Sequence, residues 1–386
     1  MTPLHTRTLT TARALEELRG EWVGLLERTE NDLPFVLPEW AACWWEAFGQ
    51  RGPLIGDSLR VMTARDEAGK LVGLAPMMST ERPRLGPVRI RSLAFLGVDQ
   101  FVSELRTPIV DPSYEGEVAR AFASELLADQ GWDWISWDGL ERGSTFARVL
   151  EETMGLRWGA AETGNLLALA PTWEDFRGGL KRNIKESLRH CYNSLKREGK
   201  TAHLVVAKTA DEIQRALSAF FTLHTARAQQ TGSVTHPDRF APPPVRRFLE
   251  EVCARLAERG IARVLTLMVD DVPVASRVAF LLPNCLYLYY SGFDPAWGKY
   301  SVATTLVAEA IRYAIDLGLP RLHLSMGVDV SKSRWGPEMP VLYEAVTVRR
   351  RLSSRAALRL YSWARTSPLL DGSFGRLLPK RRFDRA

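Results

Sequence analysis

Metal-binding and redox signatures are the first things missing from this sequence. The 386 residues include only four cysteines, at positions 43, 191, 253 and 285, with no CxxC spacing, and the six histidines form no HxxxH or HExxH pair. A structural or catalytic metal is therefore not expected, and the thiols read as those of a reduced, cytoplasmic chain. The opening Met1-Thr-Pro-Leu-His-Thr-Arg7 lacks the apolar segment of a secretory signal. Nor is there an uncharged apolar run of about eighteen residues, as a membrane-spanning helix needs. The best stretch, 261–290, is broken by Arg263, Asp270, Asp271 and Arg277. Neither GxGxxG nor GxxxxGKS/T occurs, which removes the usual support for nucleotide-dependent oxidoreductases and kinases.

What is present is a globular composition, 46% hydrophobic and 25% charged with no low-complexity tract. That suffices for a sizeable core, at a length that suits two domains or one large one. The net charge of +6 is unevenly spread. Residues 177–200 hold eight Lys/Arg against two Glu, and 349–386 hold eleven against two Asp, so the rest of the chain carries nine net negative charges. Two basic segments on an acidic body point to a polyanionic partner. No DNA- or RNA-binding motif accompanies the charge, so DNA is not expected.

Apolar spacing predicts helices over 11–29 (Leu15, Leu18, Trp22, Leu25, Leu26) and 38–48 (Trp40, Trp44, Trp45). A hairpin of 59–64 with 71–78 follows, then short strands at 89–96 and 106–110. A helix over 117–129, an alternating strand at 132–138, a helix over 146–154 and a strand at 165–170 complete this half. The second half repeats the order, from a helix over 173–198 and a strand at 203–207 to helices over 211–230 and 243–259. Strands at 261–269, 272–282 and 286–290 precede a helix over 301–317 that Gly318 ends. Strands at 321–325 and 341–349 finish the second sheet, and 352–365 is a basic helix. The expectation is an α+β protein with two mixed sheets flanked by helices. It divides as 1–170, 171–350, and a basic helix and tail at 351–386. Trp40, Trp44, Trp45, Trp132, Trp134 and Trp137 read as core, or as a platform for stacking sugars; their spacing favours core.

The stretch from Cys285 to Gly336 carries most of the chemistry. A strand ends in Gly292-Phe-Asp-Pro295, and small and hydroxyl residues open a helix whose stripe is Leu306, Ala310, Ile311 and Ala314. A strand feeding a helix N-terminus leaves unpaired N–H groups at the positive end of the helix dipole, a natural cradle for phosphate. A polar cluster follows the next short strand, in Met326-Gly-Val-Asp329-Val-Ser-Lys332-Ser-Arg-Trp335-Gly336.

Several stretches then fit one pattern in order. They are Lys181-Arg-Asn-Ile-Lys-Glu-Ser-Leu-Arg189, Phe221-Thr-Leu-His-Thr-Ala-Arg-Ala-Gln-Gln-Thr-Gly232, and Val272-Pro-Val-Ala-Ser-Arg-Val-Ala-Phe280. Tyr290-Ser-Gly-Phe-Asp-Pro-Ala-Trp297 and Gly327 through Lys332 with Trp335-Gly336 complete the set. Together they resemble the CelD/BcsL-like acetyltransferases, a branch of the GNAT superfamily related to the Fem aminoacyltransferases. The resemblance is loose over 10–350 and good over 173–350. It implies tandem GNAT-like domains with an acyl-CoA site in the second, the pyrophosphate resting on Lys299, Tyr300, Ser301, Val302, Ala303 and Thr304. Two departures stand out. The family's Ser-Pro-Gly at that helix start is Ser301-Val302-Ala303 here, and its Gly-Asp-Glu-x-Tyr-Lys is Gly327-Val-Asp-Val-Ser-Lys332.

Acyl transfer to an amine or hydroxyl needs donors at the acyl carbonyl, a base for the acceptor and an acid for the leaving thiolate. Asp329 is the first candidate base, with Lys332 holding an anionic group. His224, on a helix with Phe220, Phe221 and Leu223, is a further catalytic candidate, against the reading of a packed histidine. Arg227, Tyr290, Asp294 and Trp335 are expected at the substrate, although Asp294 also suits a cap for its own turn. The expected reaction moves an acetyl or related acyl group from acetyl-CoA or another acyl-CoA to a small-molecule or lipid-linked sugar, an exopolysaccharide or cell-envelope precursor. Two alternatives stay open. One is a Fem-like transferase using aminoacyl-tRNA, with the basic segment 177–200 on the RNA; the other is a non-catalytic GNAT-fold protein that binds a glycan or partner. The last helix, with Leu352, Ala356, Leu360 and Trp363 on one face among arginines, suits either a peripheral contact with an anionic membrane or packing onto the second domain.

Overall fold

The first sheet begins with a short polar strand, β1 (His5–Leu9), antiparallel to β2 (Gly56–Arg65). Between them Thr11 accepts a hydrogen bond from the Ala14 N–H and so caps α1 (Ala12–Leu26), while Pro38 opens α2 (Pro38–Phe48). The chain continues through β3 (Leu71–Arg82), β4 (Ile90–Phe95) and β5 (Ile109–Val110). It then runs through α3 (Glu115–Ala128), β6 (Trp134–Leu140), α4 (Thr145–Met154) and β7 (Arg157–Thr163). The computed structural model describes residues 4–29, 31–84, 89–97, 101–230 and 236–366. The expected basic tail beyond 366, with Thr231 and Gly232, lies outside them.

The second sheet comprises β8 (Leu166–Ala168), β9 (Ala202–Ala207), β10 (Ala262–Val269), β11 (Val272–Leu282), β12 (Cys285–Phe293) and β13 (Arg321–His323), in the order β8-β13-β12-β11-β10-β9. Its helices are α5 (Trp173–Gly179), α6 (Arg182–Arg197), α7 (Ala210–Ala228), α8 (Pro243–Glu258), α9 (Val302–Asp316) and the single turn α10 (Val330–Ser333). The expected helix over 173–198 breaks after Gly178-Gly179, where Leu180 turns extended. The α6 stripe Ile184, Leu188, Cys191 and Leu195 is buried in one core with Leu306, Ala310, Ile311 and Ala314 of α9. Each fully buried Leu or Ile of such a stripe contributes roughly 1.5–3 kcal/mol.

Two strands change places relative to the sequence reading. The segment read as closing the first sheet, 165–170, supplies β8, which pairs antiparallel with β13 in the second. The segment read as finishing the second sheet supplies β14 (Val341–Val348), which enters the first in the order β1-β2-β3-β4-β6-β14-β7. There Val346 faces Ser136 and Thr347 faces Ile135, and the Trp137 indole N–H donates to the Thr347 hydroxyl at 3.1 Å. Alternation specifies a strand and its buried face, not its neighbour. The chain accordingly forms two compact units. One is Met1–Asn31 with Phe35–Glu162 and Val341–Ala386, and the other is Asp32–Pro34 with Thr163–Pro340. Residues 341–350 of the expected 171–350 unit thus belong with the first sheet.

The first unit's tryptophans Trp40, Trp44, Trp45, Trp132, Trp134 and Trp137 are all buried, so they are core and not a stacking platform. Among the described residues its parallel strands β4 and β6 pair at Ser92 and Leu93 with Trp134 and Ile135. Beyond that point Gly97 and Gly139 press on the segment 103–106. An added Cβ would lie 2.5 Å from the Ser103 hydroxyl and 2.4 Å from the Arg106 carbonyl oxygen, respectively. The Arg106 guanidinium donates to the Gly97 and Ser103 carbonyls at 3.0 Å and to Asp138. This buried segment is why the strand expected at 106–110 shrinks to Ile109–Val110.

Helix α11 (Leu352–Thr366) follows β14. Its Ser354 is buried, with its hydroxyl donating to Asp133 at 2.6 Å, and Tyr361 packs 5.2 Å from Trp134. Leu352, Leu360 and Trp363 point away and are 84%, 58% and 57% exposed. No helix among the described residues is long and apolar enough to cross a membrane.

Candidate functional site

In the second unit β12 and β13 run parallel over Cys285–Tyr287 and Arg321–His323, and there β13 stops while β12 continues to Phe293. The strand end leads through a turn into α9. Asp294 caps that turn by accepting from the Ala296 N–H at 2.9 Å. Ser301 sits at φ +58°, in the left-handed region, and its side chain makes no capping bond. Its carbonyl accepts from the Thr304 and Thr305 N–H groups at 3.0 Å. The N–H groups of Val302 and Ala303 have no partner among the described residues. Val302 buries its side chain in the core, and Ala303 is exposed. The departure from Ser-Pro-Gly thus leaves the positive end of α9 uncovered except for one methyl group.

Around this helix head Lys299 is exposed, with its ammonium 4.6 Å over the Tyr300 ring and 3.9 Å from Glu198. Tyr300 is buried and donates to Glu198 at 2.5 Å, so it braces the loop. The His190 Nε2 lies 2.9 Å from the Lys299 carbonyl oxygen and ties α6 to it. Along the outer face of α6, Glu186, Arg189, His190, Asn193, Lys196 and Arg197 line an open trough of about 680 Å³.

A second cluster forms where α7 lies on β12. A Cβ on Gly292 would sit 2.2 Å from the His224 backbone nitrogen, so only glycine allows the helix this close. His224 is buried against Phe220, Phe240 and Tyr290. Its Nδ1 is 3.0 Å from the Ser291 carbonyl and must donate, so Nε2 accepts, from the Arg239 N–H at 3.4 Å. Burial pushes its pKa down, against the opposing pull of the Ser291 carbonyl and Asp238. Both ring nitrogens are thus engaged by the fold.

Arg227, one turn further on, donates to the Ser291 hydroxyl at 3.0 Å and to its carbonyl at 3.4 Å. Arg277, the cross-strand partner of Ser291, donates to the same hydroxyl oxygen at 3.0 Å. The two donor nitrogens are therefore no more than about 6 Å apart, where like charges repel by about 3 kcal/mol at an effective dielectric of about 20. The other end nitrogen of Arg227 lies 3.1 Å from the His236 Nε2, which can accept from it only when that nitrogen is unprotonated. Burial, then Arg227, pushes its pKa down. Asp329 is the acid these groups feel, raising both Arg227 and His236 against burial.

Asp329 caps α10 through the Ser331 N–H at 2.6 Å. Burial works to raise its pKa, but the Ser331 hydrogen bonds with the Lys332 and His236 charges prevail, and the carboxyl stays below its ordinary value. Lys332 donates to the Ser325 hydroxyl at 2.8 Å and the Met326 carbonyl at 2.5 Å, spanning its own loop. Trp335 is buried in the core of the unit. Tyr290 is half-buried, edge-on to His224 and Phe240. Arg227, Asp329, His224 and Tyr290 therefore gather around one patch, Lys299 through Thr304 form a second, Trp335 packs in the core and Asp294 caps its own turn. Arg277, Ser291 and His236 are not among the expected site residues. The signal was there for Arg277, a charge inside the otherwise uncharged run Val274-Ala-Ser-Arg-Val-Ala-Phe280.

Residues 182–333 match the family model of the acetyltransferase (GNAT) domain. No curated protein matches the chain in sequence. Among solved structures, the chain is similar to FemX, with 13% identity and a TM-score of 0.63 over 92% of this chain and 99% of that one. It is also similar to L-PGS from Bacillus licheniformis, with 14% identity and a TM-score of 0.52 over 94% and 97% of the two chains. At these identities the likeness is one of fold. The second unit thus carries a GNAT acetyltransferase-like domain, in a chain of two mixed α/β units similar in fold to FemX.

Proposed function

We propose that this chain is a GNAT-type acyltransferase that moves an acetyl or related acyl group from acyl-CoA to an amine or hydroxyl of a sugar-like or cell-envelope precursor. The observation that carries the reading is the uncovered head of α9 beside the diverging strands β12 and β13. Acyl-CoA, when bound, supplies an activated acyl carbonyl. The Val302 and Ala303 N–H groups and Lys299 would hold its phosphate oxygens, and the basic trough on α6 adds attraction for the same charge. Asp329, ionised at neutral pH, accepts a proton from the acceptor directly or through water. His224 and Gly292 hold the Tyr290–Ser291 segment in place.

Calorimetric titration with acetyl-CoA tests this. Binding in the micromolar range is expected of the native chain and not of Ala303→Asp, which places a carboxylate at the helix head. No binding by the native chain would overturn the proposal. Val302 turns its bulk into the core and leaves the helix head open, which supports the acyl-CoA reading over that of a purely binding protein.

A transferase drawing on aminoacyl-tRNA is favoured by one observation, the exposed Arg182, Arg189, Lys196 and Arg197 on α6. Affinity for tRNA that falls steeply with salt would favour it over acyl-CoA. For the last helix we propose contact with an anionic membrane surface. Its outward Leu352, Leu360 and Trp363 lie among the exposed Arg355 and Arg359, while a different face packs inward.

A further inference from the structure

We propose that Arg227 and Arg277 form the recognition site for an acidic group, carboxylate or phosphate, on the molecule that receives the acyl group. This rests on the acyltransferase reading and specifies its acceptor. Arg227 comes from the last turn of α7 and Arg277 from the middle of β11, and both donate to the Ser291 hydroxyl oxygen at 3.0 Å. Two guanidinium groups from separate elements, aimed at one small oxygen, present forked donors in the arrangement that an oxyanion accepts.

The fold is shaped to bring them there. Gly292 lets α7 approach β12, carrying Arg227 onto the strand. Immediately past Arg277 the β11–β12 register shifts, so that Val278 stands against Tyr289 and Tyr290 together; such a bulge re-aims the side chains beside it. Among the described residues the Arg227 Nε is buried with no hydrogen-bond partner. Asp329 attracts Arg227 electrostatically, but an oxygen of its carboxylate caps α10. An acid held between Arg227 and Arg277 would lie beside Asp329 and fix the orientation of the acceptor's nucleophile.

The test is independent of any acyl donor. The thermal midpoint of the full chain is measured with inorganic phosphate, with acetate, and with chloride at matched ionic strength. The same series is run on Arg277→Gln and on Arg189→Gln/Lys196→Gln, which removes charge from the α6 trough. We expect phosphate or acetate to raise the midpoint of the native chain and of the trough variant, and the rise to shrink in Arg277→Gln to whatever phosphate response the intact α9 head supplies. A rise lost with Arg277 and seen for phosphate alone assigns a phosphorylated acceptor; one lost with Arg277 and seen for acetate assigns a carboxylate. If Arg277→Gln folds poorly, Arg277→Lys, with the charge but not the fork, is expected to weaken anion binding about tenfold. No anion response in the native chain, or an equal response in the folded Arg277 variant, overturns the proposal. Retained acetyl-CoA binding in that case would leave the acyltransferase reading standing.

Discussion

Gly292 of β12 lies directly against the backbone of His224 in α7, so close that a methyl group on the glycine would sit 2.2 Å from the histidine nitrogen and 2.4 Å from the Leu223 carbonyl carbon. Backbone cannot yield as a side chain does. Gly292→Ala is therefore expected to destabilise the second unit by about 3 kcal/mol or more, read from the urea midpoint of that unit's unfolding. A loss under about 1 kcal/mol would mean that helix and strand can separate freely.

The same junction makes stability depend on pH. His224 and His236 both have folded-state pKa values below the ordinary 6.5, each chiefly through burial. In the unfolded chain they take up protons first as pH falls. Their stabilising effect is thus fully present above pH 6.5 and is lost as the pH drops toward their folded values. Urea midpoints at pH 7.5 and 5.5 should fall more for the native chain than for His224→Gln/His236→Gln. Equal falls would locate the acid sensitivity elsewhere.

Ser301 occupies a backbone conformation suited to glycine, without a capping bond to offset it. Ser301→Gly should stabilise by a few tenths to about 1 kcal/mol, visible as a raised thermal midpoint. It should leave acetyl-CoA binding intact, since the N–H groups of Val302 and Ala303 are untouched.

Asp329→Asn keeps an oxygen that can cap α10 but removes the carboxylate. Acetyl transfer should fall by about 100-fold or more if Asp329 takes the acceptor's proton, with circular dichroism unchanged. Because its pKa lies below the ordinary carboxylate value, transfer by the native chain should show no loss from Asp329 between pH 6 and 8. A rate unaffected by the substitution would remove Asp329 from proton transfer.

The outward face of α11 predicts sedimentation with anionic vesicles and not with neutral ones. Leu360→Asp/Trp363→Asp should abolish it without loss of stability, because both side chains are more than half exposed. Binding that survives the substitution would move the contact off this face.

Much of the fold was legible because its signals are local. The α6 stripe, the Asp294 turn cap and the Gly318 helix stop each follow from a few neighbouring residues, and each is in place. β1 and β7 escaped notice because they are exposed, polar strands without apolar alternation. The sheet assignments of β8 and β14 depend on pairing across more than 150 residues, such as Leu166 with His323, which no local pattern encodes. The site divided likewise. The α9 head could be read from a strand-to-helix transition, whereas the meeting of Arg227, Arg277 and Ser291 exists only once α7 settles on Gly292. The burial of Trp335 and the engaged nitrogens of His224 are equally products of tertiary packing.

The exchange of β8 and β14 also sets an order of events during synthesis. Val341–Val348 takes an interior place, between β6 and β7, in a sheet whose other strands are all made before residue 164. The first unit to be translated must therefore wait, with a gap in its sheet, until the entire second unit has left the ribosome. That second unit begins and ends side by side, the Gly164 N–H donating to the Pro340 carbonyl at 2.9 Å. It can close upon itself and so hand the chain back to the waiting sheet near the point where it departed.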